Sequence, residues 1–344
     1  MFVVSRERNY NIELLRVISC ILVVCIHVSN VYSRAYGEVS YGTYLFSLFT
    51  NCFSRVAVPV FFMISGYLLL EENVSIRKSI HRVIHTLLVL VFWSVLYYIW
   101  NIIFWDDRYD FATLFEEPVK KHLWFLYAIL GMYIALPFFQ LLFKKMNRRL
   151  MEYFVMLWIF FLTLYYVLAL ADMEFTYTVP MVGNSSYLGY FVMGYIIRYF
   201  SKDYRLGSKI CFGIAFAAGM INIGLTCWGT WVSGSHEEIF FQYRNPLIAI
   251  CSLGVFGGII EHGVIRFTEA QKALMQKISR HSFTIYLSHI FLDIVKEEME
   301  PLDVPGWIGI PLYTLGIFLV TFAFAVAADN AWKHLRQYLP KAIM

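Results

Sequence analysis

The stretch NIELLRVISCILVVCIHVSN, residues 11–30, is apolar at most positions yet carries Glu13, Arg16 and His27. Its hydrophobicity runs around the whole helical circumference, without the polar face that a helix on a water-soluble core keeps. A run of about 20 such residues matches the hydrocarbon thickness of a bilayer. Comparable blocks recur along the 344 residues, which are 59% hydrophobic and only 15% charged. A helix satisfies its own backbone hydrogen bonds in lipid, so the pattern predicts an all-α, polytopic integral membrane protein.

The apolar blocks predict about ten transmembrane helices, over 12–31, 45–70, 83–104, 122–143, 151–170, 184–200, 209–228, 245–265, 282–297 and 307–330. Residues 1–344 read as one transmembrane domain, with no internal repeat and no soluble domain. Lys and Arg concentrate on the cytoplasmic side of membrane proteins. With both termini placed there, 20 of the 28 basic residues fall in the inner loops and tails, in clusters at 6–8, 77–82, 144–149, 198–209, 266–280 and 333–341. The outer loops hold Arg34, Arg108, Lys120, Lys121, Arg244 and Lys296; Arg16 and Arg55 lie within predicted helices.

The net charge of +4 is small and forms no patch suited to nucleic acid. The six cysteines sit in or at the ends of apolar segments without metal-binding spacing, and read as packing residues. The first apolar stretch lacks a small-residue cleavage site, so no removable signal peptide is expected. No His, Cys or carboxylate cluster has metal spacing, and no phosphate-binding glycine loop is present, so no metal is expected.

Ionisable side chains at membrane depth are costly and mark functional positions. Arg16 and His27 are eleven residues apart, which on an α-helix puts them within about 20° of one face and about 16 Å apart along the axis. One stripe thus carries a cation towards the cytoplasm and an imidazole towards the outside. That suits a long anionic donor held at its phosphates by the Arg, with its reactive tip near the His, which can take a proton from a hydroxyl near neutral pH. An Arg snorkelling beside Glu13 and a His bonded to a neighbouring helix fit the same residues. Cys25 points away from His27 and is not its nucleophilic partner.

Four motifs, in order, carry a resemblance. They are the Arg16 and His27 pair, SRVAVPVFFMISGYLLL at 54–70, HLWFLYAILGMYIALP at 122–137 and ISRHSFTIYLSH at 278–289. Together they resemble the membrane acyltransferase 3 family over nearly the whole chain, most closely the enterobacterial common antigen O-acetyltransferase type. The resemblance implies a multi-pass enzyme of the bacterial cytoplasmic (inner) membrane. It would use cytoplasmic acetyl-CoA, as acyl donor, to O-acetylate a surface or lipid-linked polysaccharide.

On that resemblance His27 is the catalytic base or acyl relay, and Arg16 is essential to the same pocket. Arg77, Lys78 and Arg82, in SIRKSIHRVIHT at 75–86, would meet the phosphates of CoA, with Ser65 and Arg55 in the donor or substrate pocket. The spacing of the basic cluster departs from the family's pattern at His81 and Arg82, and positive-inside anchoring is its alternative. Glu13, His122, Trp124, Tyr286 and His289 would face the substrate. Packing is the alternative for Ser65 and Gly66, the interfacial aromatic belt for Trp124, and interhelical hydrogen bonding for Tyr286 and His289. Asn184, Ser185, Tyr187, Tyr190 and Gly194 read mainly as capping and packing residues, and Asp293 has no partner that the sequence names. A proton-coupled transporter or flippase also combines ten helices with buried Arg and His; the four motifs and the missing repeat favour the enzyme.

Overall fold

The computed structural model describes residues 8–105, 116–173, 186–200, 206–261, 266–292 and 304–336. Its regular structure is helical throughout, with no strand among the described residues. In chain order the helices are α1 (Tyr10–Arg34), α2 (Tyr41–Ser54), α3 (Ala57–Leu69), α4 (Ile76–Trp105), α5 (Trp124–Lys145) and α6 (Arg148–Leu170). They continue as α7 (Ser186–Phe200), α8 (Ser208–Ser233), α9 (Pro246–Glu261), α10 (Glu269–Ser288) and α11 (Gly306–Arg336). Short 3-10 turns cover Lys121–Leu123, Ile239–Phe241 and His289–Leu292. Asn184, Ser185, Asp293, Arg108 and Lys296 lie outside the described residues.

Eight segments among the described residues are long and apolar enough to cross a membrane: α1, α2 with α3, α4, α5, α6, α8, α9 with its preceding turn, and α11. Their outward faces carry large apolar side chains in the open, among them Phe92, Phe138, Phe160, Trp231 and Leu312. Exposed apolar surface on this scale belongs against lipid. The two further segments expected to span behave differently. Helix α7 is only 15 residues long and most of it is buried within the bundle. Of the predicted span at 282–297, residues 282–288 are the C-terminal end of α10, which begins at Glu269 behind a capping box between Thr268 and Gln271; 289–292 form a 3-10 turn, and 293–297 lie outside the described residues. Lys272, Lys277 and Arg280 lower the hydropathy of that first half without interrupting the helix, so hydropathy missed it.

The predicted helix over 45–70 is two helices in one span. Pro59 lacks an N–H, and its ring crowds the carbonyl four residues back, that of Arg55. The chain turns there, at Arg55 and Val56, and Pro59 is tolerated in the first turn of α3. The break puts a cation at an interruption in the helix.

Helix α1 is central and packs against α2, α3, α9, α10 and α11. Asn9 caps it, accepting from the N–H groups of Asn11 and Ile12. Helices α3 and α7 form one of the two most extensive pairings, the other being α8 with α9. They meet through glycine: a Cβ on Gly66 would overlap the backbone carbonyl of Phe191, and one on Gly194 that of Met63. Such backbone approach is what small residues permit between helices in lipid. All six cysteines are free and buried or half-buried.

Candidate active site

At its N-terminal end α1 presents Arg16, with Glu13 one turn before it. The buried Glu13 carboxylate lies 3.7 Å from Arg16 and 3.3 Å from Arg8. Arg16 therefore has its intrahelical partner and also lines a cavity of about 360 Å³. Ser65 from α3, Arg82 from α4, Tyr133 from α5 and Tyr286 from α10 line it too, the rest being mainly apolar. Arg82 is steadied by Glu72 at 2.8 Å. Two guanidinium groups on a narrow, largely apolar cavity suit a slender ligand with an anionic portion. Arg77 and Lys78 lie on the first turn of α4, exposed, and do not line this cavity. Glu13 belongs to the Arg16 end, not to the histidines described next.

Towards the other end of α1, three imidazoles converge. The His27 and His289 rings lie 5.0 Å apart, and His289 and His122 lie 5.5 Å apart. His289 opens the 3-10 turn after α10, and its Nδ1 lies 2.6 Å from the carbonyl of Tyr286. A carbonyl only accepts, so Nδ1 carries the proton and Nε2 is the basic nitrogen. The Tyr286 hydroxyl donates to the carbonyl of His122. Its ring touches those of His122 and His289, both at 5.8 Å. Tyr286 thus lines the Arg16 cavity and also touches the histidine cluster. Of the pair Tyr286 and His289, His289 meets His27 on α1 and Tyr286 turns to His122.

His122 was expected to face the substrate where its helix opens. The 3-10 turn Lys121–Leu123 carries it, 6% exposed, with its ring 5.1 Å from that of Tyr97. Tyr97 also donates to the carbonyl of Leu287 at 2.6 Å, tying α4 to α10. Neither ring nitrogen of His122 makes a hydrogen bond of good geometry among the described residues, although the backbone of Leu287 lies near it. A buried polar group in that condition is uncommon and calls for an explanation such as ligand contact. Among the described residues no group of three or more His, Cys, Asp or Glu is arranged to hold a metal ion.

Arg55 lies apart from Ser65 and Arg82. It lines a second cavity, of about 240 Å³, with Tyr187, Glu238, Phe241, Tyr243 and Arg244. Its Nε donates to Asn51 at 2.9 Å and its Nη2 to Asn30 at 3.3 Å, and the guanidinium sits over the rings of Phe241 and Tyr243 at 5.6 and 5.9 Å. Trp124 packs against Tyr187, the rings tilted and 4.6 Å apart, and lies 5.9 Å from Tyr243. Sequence reasoning missed Tyr97, Tyr133, Asn30, Tyr243 and the role of Tyr187 as a cavity wall. Only Asn30 had a signal, standing one helical turn beyond His27. Tyrosine is too common here, with 24 in the chain, for single ones to stand out.

Beside this cavity, His236 in the loop between α8 and α9 is pushed down from the usual 6.5 to about 4. Burial is the main cause; Glu238 opposes it, and Arg34 and Arg55 add to it. Its Nδ1 lies 3.2 Å from the Tyr44 hydroxyl. As pH falls below 6.5 the unfolded chain takes up a proton that the folded protein refuses. Stability from this group is therefore intact above pH 6.5 and lost between there and about 4. Thermal melts of the detergent-solubilised protein should fall over that range, and the His236→Gln protein should fall less; parallel curves would refute this.

The bundle is thus a multi-pass membrane protein with cation-lined and histidine-lined polar sites enclosed among its helices. A family model described as an acyltransferase domain matches residues 9–328, and the chain belongs to that family, acyltransferase 3. Comparison with curated proteins and with solved structures gave no match.

Proposed function

We propose that the protein is an acyl-CoA-dependent O-acyltransferase that moves acetyl from cytoplasmic acetyl-CoA to a hydroxyl of a surface or lipid-linked saccharide. The observation that carries this reading is Tyr286, shared between the cavity of Arg16, Ser65 and Arg82 and the cluster of His27, His122 and His289. A donor held by its anionic part at the two arginines would extend its thioester past Tyr286 towards the imidazoles. The positive-inside pattern supports a cytoplasmic N-terminus, which puts the Arg16 end on the donor's side. The motif resemblance supports acetyl as the acyl group, a glycan as the acceptor and the bacterial inner membrane as the location. The exposed Arg77 and Lys78, on the helix that carries Arg82, would meet the outer phosphates of CoA.

In the reaction His27 takes the proton of the acceptor hydroxyl as its oxygen attacks the thioester carbonyl. The new C–O bond forms, the C–S bond breaks, and the departing CoA thiolate takes up a proton. His289, basic at Nε2 and in ring contact with His27, is placed to hold that imidazole in orientation, and His122 offers two ring nitrogens to the reacting groups.

Turnover of labelled acetyl-CoA by the purified protein tests the donor half, and mass spectrometry of surface glycans with and without the protein tests the acceptor half. The glycans should differ by one acetyl group. Arg16→Gln and Arg82→Gln should each raise the KM for acetyl-CoA about tenfold to a hundredfold, the loss of one charge-assisted contact. A wild-type protein that neither binds nor turns over acetyl-CoA would overturn the reading in favour of transport.

A further inference from the structure

The second cavity has three properties that the reaction above does not use. It is the more polar site, it opens at the surface through the exposed Gln242 and Arg244, and its walls contact residues on the elements that carry the histidines. Two contacts make that link. Arg55 hydrogen-bonds Asn30, which stands on α1 three residues, or one turn, beyond His27. Trp124, two residues beyond His122, packs against Tyr187, and Tyr187 and Tyr243 both line the cavity. The Arg16 cavity thus reaches the histidines through Tyr286, and the Arg55 cavity reaches their elements through Asn30 and Trp124, a disposition that suits transfer between two bound substrates.

The charges select the ligand. Glu238 is gripped by both ends of the Arg34 guanidinium, at 2.5 and 3.3 Å, and so is already neutralised. Arg55 is held in place by Asn51 and Asn30, two neutral amides, and faces aromatic rings. Arg244 is exposed at the rim. With Glu238 taken up mainly by Arg34, Arg55 and Arg244 leave the lining cationic, among aromatic walls. Aromatic rings accept the apolar faces of a saccharide, and guanidinium groups pair with carboxylate or phosphate oxygens.

We propose that the cavity around Arg55 is the acceptor subsite and that it takes a saccharide bearing an anionic group, a uronate or a sugar phosphate. This rests on the acyltransferase reading above. The neutral portion lies along Tyr187 and Tyr243, the anionic group meets Arg55 and Arg244, and the free hydroxyl points along Asn30 towards His27.

The experiment measures binding of glucuronate, glucose 1-phosphate and glucose to the full-length protein in detergent, by saturation-transfer NMR, with acetyl-CoA affinity measured on the same samples. At least one of the two anionic sugars should bind about tenfold more tightly than glucose, and which one does so tells carboxylate from phosphate. Arg244→Gln, at an exposed position that packing does not need, should remove most of that preference while acetyl-CoA affinity holds. Arg55→Gln should remove it altogether. Equal binding of all three sugars by the wild type would overturn the subsite, as would an anionic preference that survives both substitutions. Failure to bind acetyl-CoA would show separately as a failure of the acyltransferase reading, and would remove the acceptor role with it.

Discussion

Acyl transfer by the His27→Ala protein is expected to fall by about 10²–10⁴-fold, the range that a positioned general base contributes. The affinity for acetyl-CoA should stay near the wild-type value, because on the proposed reading the donor's anionic portion meets Arg82 and Arg16, the latter about 16 Å from His27 along α1. Steady-state transfer measured beside equilibrium binding checks both halves. The reading requires kcat to fall with donor binding unchanged, which marks an interaction made in the transition state. Undiminished transfer would remove His27 from the chemistry. Incubating the wild type with acetyl-CoA and no acceptor, then analysing its peptides, separates base from relay: direct transfer predicts no acetyl group on His27, and an acetyl-imidazole there would replace it with a two-step mechanism.

The second large effect concerns folding. At Gly66 a Cβ would overlap the backbone carbonyl of Phe191, and at Gly194 that of Met63. The obstacle in each case is main chain, which no rotamer change can move aside. Val at either position is expected to separate α3 from α7 and to cost well above the about 1–3 kcal/mol of ordinary overpacking. Thermal unfolding of the purified protein, or its yield in the membrane, provides the measurement. At Gly131, where an added Cβ meets nothing within 4 Å, Ala should be neutral and serves as the comparison. Near-wild-type melting of Gly66→Val would mean that the helices do not approach as closely as described.

These two substitutions also divide what could be read from the residues alone. The spacing of Arg16 and His27 on one helix is a local property, set by 3.6 residues per turn, and it was legible without any structure. So were the apolar spans, because hydropathy reports the solvent that each segment meets. The boundaries of α10 were not, because its charged first half is helical for reasons of capping and packing that hydropathy does not register. Nor was the break at Arg55, although Pro59 stood in plain view: a proline in a long apolar run marks a kink, a break or neither, depending on its neighbours. Ser65 and Gly66 show the same division. Both were open to packing or ligand contact, and the fold separates them, with Gly66 against α7 and Ser65 on the cavity wall.

By itself, then, the sequence determined that this is a helical membrane protein, that its first helix carries a cation and an imidazole on one stripe, and which family it belongs to. Those follow from composition, helical period and motif order along a single strand of chain. Tertiary structure decided which polar residues meet. It turned His122 inward to His289, set Tyr286 between the Arg16 cavity and the imidazoles, and moved Arg55 to a cavity of its own. The physical reason is that these neighbours lie up to 262 residues apart in the chain, as for His27 and His289, and meet only through the packing of separate helices.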